Sequence, residues 1–157
     1  MNEVTDLNNM DFLSTIAEDK RTLEMFRYLV NNAFIRVVNY HNTEKVDAER
    51  FEREIAAFAE NFTSVSMEDI DRFFETRKWD KEKPGLIPAV FEGFRNGYDV
   101  MLPILEKYCF KAWYYIPSFF MDIPVQEQLR FTEHYDLTVY HPEEYPDGRY
   151  AMTWDEV

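Results

Sequence analysis

The sequence predicts an α/β protein built from parallel strands with flanking helices. Short apolar or β-branched runs typical of strands alternate with stretches in which apolar residues recur at helical spacing. The connections are short, and no glycine- or serine-rich linker or internal repeat divides the chain. Such connections favour parallel pairing with right-handed crossovers. With 157 residues the chain is one domain by length, and it is shorter than a complete α/β barrel of about 250 residues.

The amino-terminal half contains one strand and two helices that can be recognised from their periodicity. Residues 19–30 carry apolar side chains at helical spacing and are predicted to form a helix. Residues 34–40 are rich in β-branched side chains and predict a strand that ends at His41. A single apolar stripe then predicts an amphipathic helix packed on the sheet, formed by Phe51, Ile55, Phe58, Ala59 and Phe62.

A capping-box pattern marks the start of the next helix. The hydroxyl oxygen of Ser66 can accept a hydrogen bond from a free N–H of the first turn, and Asp69 lies three residues further on, where a carboxylate favours the helix N-terminus. The buried side of this helix is predicted to consist of Ile70, Phe73 and Phe74.

The carboxyl-terminal half continues the alternation of strand and helix. The predicted elements are a strand at 86–90, a helix at 98–108, a strand at 112–116, a helix at 126–133, a turn-rich loop at 141–150 and a helix that begins at Thr153.

Composition excludes several classes of partner. The net charge is −13 and no run of lysine or arginine builds a groove for phosphates, so nucleic acid and anionic membranes are not expected partners. No 18-residue apolar run occurs and the N-terminus lacks the pattern of a signal peptide, which leads us to expect a cytoplasmic protein. The single cysteine, Cys109, allows no internal disulfide or thiolate metal set, and we expect it to pack at a helix end.

Residues 88–103, with the sequence P-A-V-F-E-G-F-R-N-G-Y-D-V-M-L-P, form a strand, an acidic turn and the start of a helix. With the I-L-E-K-Y that follows, this segment resembles the first motif of the polysaccharide deacetylases, the NodB-homology or carbohydrate esterase 4 family, which usually has T-F-D-D-G-Y at the turn. Four further segments resemble other parts of the family in the same order: Asn39 to His41, Phe51 to Phe62, Val65 to Ile70 and Met152 to Val157. The resemblance covers residues 34–157 and implies the N-terminal portion of an irregular (β/α) barrel, with the single domain 1–157 incomplete at its C-terminus.

The resemblance also implies an activity. Members of the family hydrolyse the acetamide C–N bond of N-acetylated sugars with a divalent metal, usually zinc, held by one aspartate and two histidines, while a second aspartate acts as the base. Aligned on Pro103, Phe91 stands at the base position and Glu92 at the metal-ligand position. A one-residue slip would make Glu92 the base and leave Gly93 at the ligand position, so Glu92 is the candidate for either the catalytic or the metal role.

Other residues are candidates for substrate contacts. His41 follows a strand at the end where parallel α/β sheets build their sites, so we expect Glu92 and His41 to face the same mouth. Phe91, Arg95 and His41 are the candidate substrate-binding residues, and Arg95 is also suited to hold the turn. His134 and His141 are predicted to be surface residues without a metal role. The aromatic residues near the strand ends suggest sugar stacking, but the alternation of side chains along a strand predicts that most of them are core: Phe91, Phe94, Trp113, Tyr114 and Tyr115.

Three interpretations stay open at this point. The chain is a carbohydrate N-deacetylase, a non-catalytic relative that keeps the sugar cleft, or a fragment of a longer hydrolase. The expected partner in each case is a carbohydrate or a small N-acylated substrate. Because the chain stops before a barrel would close, it is also expected to expose a strand edge and to self-associate.

Overall fold

The computed structural model describes residues 34–157, and the helix predicted at 19–30 lies outside the described residues. The described part is a parallel sheet with helices on both faces, which confirms the predicted α/β class. Within residues 34–157, no helix has the length and apolar character needed to cross a membrane.

The sheet is centred on one buried strand. This strand, β3 (Gly85–Phe91), pairs along its whole length with β1 (Ile35–Tyr40). On its other side β3 pairs first with β2 (Thr63–Ser64) and then with β4 (Trp113–Tyr115), and all three pairings are parallel. The predicted strands are confirmed, whereas the two-residue β2 was not predicted.

Two helices follow β1 and β2 as predicted. The helix α1 (Ala48–Asn61) buries Phe51 and Ile55 against the sheet. The helix α2 (Met67–Thr76) begins with the predicted capping box, in which the hydroxyl of Ser66 accepts the N–H of Asp69 at 3.2 Å and the Asp69 carboxylate accepts the N–H of Ser66 at 2.9 Å.

The predicted burial of Phe74 is wrong. Its side chain is 60% exposed, whereas Ile70 and Phe73 pack against a core cluster that contains Trp79. Phe74 is adjacent to Phe73 in the helix, so its side chain is rotated by about 100° around the helix axis and lies outside the narrow apolar stripe.

The remaining helices are short. After β3, a π-helical turn at Gly97–Met101 leads into α3 (Leu102–Lys107), and after β4 come α4 (Ser118–Met121) and α5 (Val125–His134). The structure places 3₁₀ turns at Lys45–Asp47, Pro142–Glu144 and Trp154–Glu156. The predicted helix beginning at Thr153 is therefore a single 3₁₀ turn, and α4 was not predicted.

Both faces of β3 are covered, as expected for a parallel sheet between helices. Leu86 and Val90 pack on one face against α1 and α3, while Ile87 packs on the other face against Val65 and Trp79. The backbone of β3 comes so close to this second layer that a Cβ atom added to Gly85 would lie 2.6 Å from Cγ2 of Val65. Continuous burial on two faces explains why residues 85–90 form an uninterrupted apolar run.

The expectation that Cys109 is a packing residue is wrong. Cys109 is exposed and has a φ of +59°, a left-handed conformation in which its backbone N–H bonds the carbonyl of Glu106 beyond the end of α3. A helix commonly ends with glycine in this conformation. The position thus serves to end α3 through its backbone.

Candidate functional site

The candidate site lies where β1, β3 and β4 end, at the carboxyl edge of the sheet. Phe91 pairs with Tyr115 in the β3–β4 register, and Tyr40 pairs with Val90, so the next residue of β1, His41, lies beside Phe91. The rings of Phe91 and Tyr115 are stacked with centroids 4.8 Å apart and planes 9° apart. The His41 ring stacks on the other side of Phe91 at 5.9 Å and 27°. These three residues form a continuous row of rings across three strands, which we call the ring row.

Glu92 lies next to the ring row and bonds to its first member. Nδ1 of His41 and Oε1 of Glu92 are 2.9 Å apart, with the His41 side chain 67% exposed and that of Glu92 24% exposed. The expectation that Glu92 and His41 face the same mouth is confirmed. The carboxylate accepts a hydrogen bond from the Nδ1–H of His41, which leaves Nε2 of the imidazole outside this contact.

The turn that carries Glu92 holds it in a strained conformation. Glu92 has a φ of +75° and Gly93 a φ of +68°, and a left-handed conformation is unusual for a glutamate. Two backbone hydrogen bonds fix this turn: the N–H of Glu92 donates to the carbonyl of Tyr115 at 3.2 Å, and that of Met152 donates to the carbonyl of Gly93 at 2.9 Å. The carboxylate of Glu92 is therefore directed by a rigid backbone.

Arg95 braces the same turn from the other side. Its guanidinium donates to Asp99 at 2.7 Å and to both carboxylate oxygens of Asp147 at 2.9 and 2.8 Å. Burial acts to lower the pKa of Arg95, but the two carboxylates outweigh burial and raise the pKa. Because its donors are directed at these carboxylates, Arg95 ties the turn after β3 to the loop at 142–150.

A buried polar network lies beneath the mouth, and sequence reasoning did not find it. Asn96 is 1% exposed and donates to the hydroxyl of Tyr145 at 2.6 Å and to the amide oxygen of Asn42 at 3.3 Å. The Tyr145 hydroxyl donates to the same oxygen at 3.3 Å. Burial is the main cause that raises the pKa of Tyr145, so its hydroxyl stays protonated and able to donate. The network joins Asn42, the residue after His41, to the turn that carries Glu92.

Two glutamates hold the loops on either side of this network together. Glu44 is 2% exposed, and its Oε1 accepts the backbone N–H groups of Tyr140 and His141, both at 2.9 Å. In the opposite direction, Glu144 accepts the backbone N–H groups of Lys45 at 2.6 Å and Val46 at 3.0 Å. This reciprocal arrangement fixes the loop after β1 against the loop around residue 142.

The side chains at the mouth do not fit the metal that the resemblance implies. Within residues 34–157, no group of three or more His, Cys, Asp or Glu residues is placed to hold a metal ion. Glu92 and His41 supply two ligands where a catalytic zinc site has three, and they bond to each other. His134 is exposed, and His141 bonds to Glu143 at 2.9 Å, which raises the pKa of His141.

The other aromatic residues near the strand ends belong mostly to the core, as predicted. Phe94 is 2% exposed and contacts Phe120. The hydroxyl of Tyr114 donates to the carbonyl of Gly97 at 2.8 Å, and burial raises the pKa of Tyr114 to about 12. Tyr115 is an exception, because it is 48% exposed and its ring stacks in the ring row.

Comparisons with known proteins gave structural neighbours only. No family model matches the chain, and no curated protein matches it. Solved structures similar to this chain include the Streptococcus pyogenes deacetylase PplD in complex with acetate, at 14% identity and a TM-score of 0.47. They also include a de-N-acetylase from Aggregatibacter actinomycetemcomitans, at 18% identity and a TM-score of 0.49. Each similarity covers 66% of this chain and 52% of the neighbour, so the chain spans about half the length of these proteins.

Proposed function

We propose that this chain is a polysaccharide deacetylase-like protein, of the NodB-homology type, whose mouth binds an N-acylated carbohydrate. The observation that carries the proposal is the ring row of His41, Phe91 and Tyr115 beside the carboxylate of Glu92, at the carboxyl ends of parallel strands. Ligands of open α/β sheets bind at this end. The order of the family-like segments over residues 34–157 supports the same class of ligand.

The chemistry of the ring row suits a sugar. The rings stack on one another, so the faces left for a ligand are the outer faces at the two ends of the row, on His41 and Tyr115. Tyr115 is 48% exposed and lies on β4, the border strand of the described sheet on that side. A sugar presents an apolar C–H face that packs on an aromatic ring and hydroxyls that hydrogen bond to a carboxylate or an imidazole. Glu92 and His41 supply those polar partners next to the rings.

These residues favour binding over hydrolysis. Phe91 stands at the family's base position and cannot accept a proton, while the carboxylate of Glu92 is bonded to His41. General base catalysis needs an acceptor within reach of the attacking water. We therefore propose that residues 34–157 form a carbohydrate-binding site of deacetylase type that does not itself turn over substrate.

One observation favours a second candidate, a hydrolase that uses Glu92 as its carboxylate. Glu92 is held at a φ of +75°, and strained residues of this kind cluster at active sites. In this candidate, further ligands would come from polypeptide beyond residues 34–157. The two candidates predict different outcomes for acetate release.

Binding is tested by titrating N-acetylglucosamine oligomers into the protein and following amide chemical shifts. We expect shifts clustered at the ends of β1, β3 and β4, and Tyr115→Ala should weaken binding by about fivefold to tenfold, since a ring contact contributes roughly 1 kcal/mol. Phe74→Ala removes an exposed aromatic ring on α2, which is 60% exposed against 48% for Tyr115, and should leave the affinity unchanged. The binding proposal fails if no oligomer shifts these amides, or if both variants weaken binding alike.

Turnover is tested by measuring acetate release from the same oligomers with zinc present. We expect none above the buffer rate, for wild type and for Glu92→Gln alike. Zinc-dependent release that is lost in Glu92→Gln would establish the hydrolase candidate in place of the binding site.

A further inference from the structure

We infer that the pair formed by His41 and Glu92, with the ring of Phe91, has taken the place of a metal, so that this mouth recognises its ligand without a divalent cation. The ligand class rests on the proposed function. The absence of metal dependence rests on the side chains of the mouth, and it can be tested separately.

The two candidate metal ligands, His41 and Glu92, form a hydrogen bond with each other. Nδ1 of His41 is 2.9 Å from Oε1 of Glu92, and the imidazole is held on its flat side by the ring of Phe91 at 5.9 Å. A cation that took Nδ1 of His41 and Oε1 of Glu92 as ligands would have to replace this hydrogen bond. Within residues 34–157, it would gain two protein ligands, one fewer than an open catalytic site has.

The nearby carboxylates also accept hydrogen bonds from other groups. Asp99 and Asp147 both accept from Arg95, at 2.7 to 2.9 Å. Glu44 and Glu144 each accept two backbone N–H groups across the loops below the mouth. A third ligand could be recruited from these four only by breaking an interaction that holds the loops in place, so residues 34–157 offer two ligands at the mouth.

The pair leaves hydrogen-bonding atoms for a ligand. Among the contacts within residues 34–157, the carboxylate of Glu92 uses Oε1 and the imidazole of His41 uses Nδ1. Oε2 of Glu92 and Nε2 of His41 therefore stand next to the ring row as an acceptor pair for hydroxyl or amide protons. The hydrogen bond from the imidazole orients the carboxylate and keeps these atoms available.

Zinc chloride alone tests the inference through isothermal titration calorimetry with wild type, His41→Ala, Phe91→Asp and Phe91→Asn. We expect no saturable one-to-one binding by wild type. Phe91→Asp adds a second carboxylate beside His41 and Glu92, and thus a third possible ligand, and it should bind zinc at least about tenfold more tightly than Phe91→Asn, which has the same shape without the charge. Thermal melting of each variant establishes that it is folded.

Tight one-to-one zinc binding by wild type that is lost in His41→Ala would overturn the inference. So would a folded Phe91→Asp variant that binds zinc no better than Phe91→Asn, because the shortage of ligands would then not explain the behaviour of the mouth.

Oligomer titrations with and without excess EDTA separate this inference from the proposed function. We expect the same affinity in both, whereas a loss of binding with EDTA would overturn metal independence and leave the carbohydrate site intact. If no oligomer binds under either condition, the proposed function fails, and the zinc titrations still decide whether the pair excludes a metal.

Discussion

Replacing Glu44 should destabilise the protein far more than replacing an ordinary surface glutamate. Glu44 is 2% exposed, and its Oε1 accepts the N–H groups of Tyr140 and His141 at 2.9 Å each. Glu44→Ala removes the acceptor and leaves both N–H groups without a partner in a partly closed position. The change therefore acts on the contact between the loop after β1 and the loop around residue 142.

The expected loss in the free energy of unfolding follows from the two N–H donors that Glu44 accepts. A buried donor left without a partner costs about 1–3 kcal/mol, and since the side chain of Tyr140 is 74% exposed, water can approach at least one of them. We therefore expect Glu44→Ala to lower the free energy of unfolding by about 2–3 kcal/mol. Glu44→Gln keeps an oxygen at the same place without the charge and should cost about 1 kcal/mol.

Urea unfolding at neutral pH measures these differences, with Glu49→Ala as the matched control. The Glu49 side chain is 95% exposed, so its replacement should change the free energy of unfolding by less than about 0.5 kcal/mol. If Glu44→Ala costs no more than the control, or if alanine and glutamine cost the same, the two backbone hydrogen bonds do not hold the loops as described.

The other predictions concern a pH dependence and a backbone strain. Burial acts to raise the pKa of Asp69, but Lys81 and the N–H of Ser66 outweigh it and hold the pKa at about 2, below the usual 3.8. A lowered carboxyl pKa gives stability that is present above pH 3.8 and is lost as the pH falls towards 2. In Asp69→Asn, the free energy of unfolding should therefore depend less on pH in this range, as measured by circular dichroism. At Glu92, where φ is +75°, glycine relieves a left-handed conformation that costs other residues about 1–2 kcal/mol. Thermal melting should therefore show Glu92→Gly to be more stable than Glu92→Ala, the reverse of the usual order, and equal melting temperatures would mean that the turn is not strained.

Much of the fold was predictable because its signals are local. Burial on both faces gives β3 a continuous apolar run, and the capping box at Ser66 and Asp69 needs only four consecutive residues. The two-residue strand β2 has no periodicity to detect, and its pairing with Gly85 is set by the sheet as a whole. The left-handed conformation at Cys109 was not predicted, because this conformation is usually signalled by a glycine and the residue there is a cysteine.

The site was predictable as a place but not as a set of contacts. The rule that parallel strands open their sites at one edge brought His41 and Glu92 together although they are 51 positions apart. That rule does not predict which of these side chains form hydrogen bonds with one another. The network of Asn42, Asn96 and Tyr145 joins residues up to 103 positions apart, and no local pattern in the sequence indicates it.

The ring row depends on the distance between adjacent strands. Parallel strands lie about 4.8 Å apart, close to the distance at which aromatic rings stack, so rings at matching positions of adjacent strands stack when they share a face. Phe91 is flanked by Tyr115 on one strand and His41 on the other, and its centroid is 4.8 Å from that of Tyr115. Each ring limits the rotation of its neighbour, and Glu92 holds the ring of His41 by a hydrogen bond. These contacts order the mouth without a ligand, so the binding that we propose on its outer faces should cost little side-chain entropy.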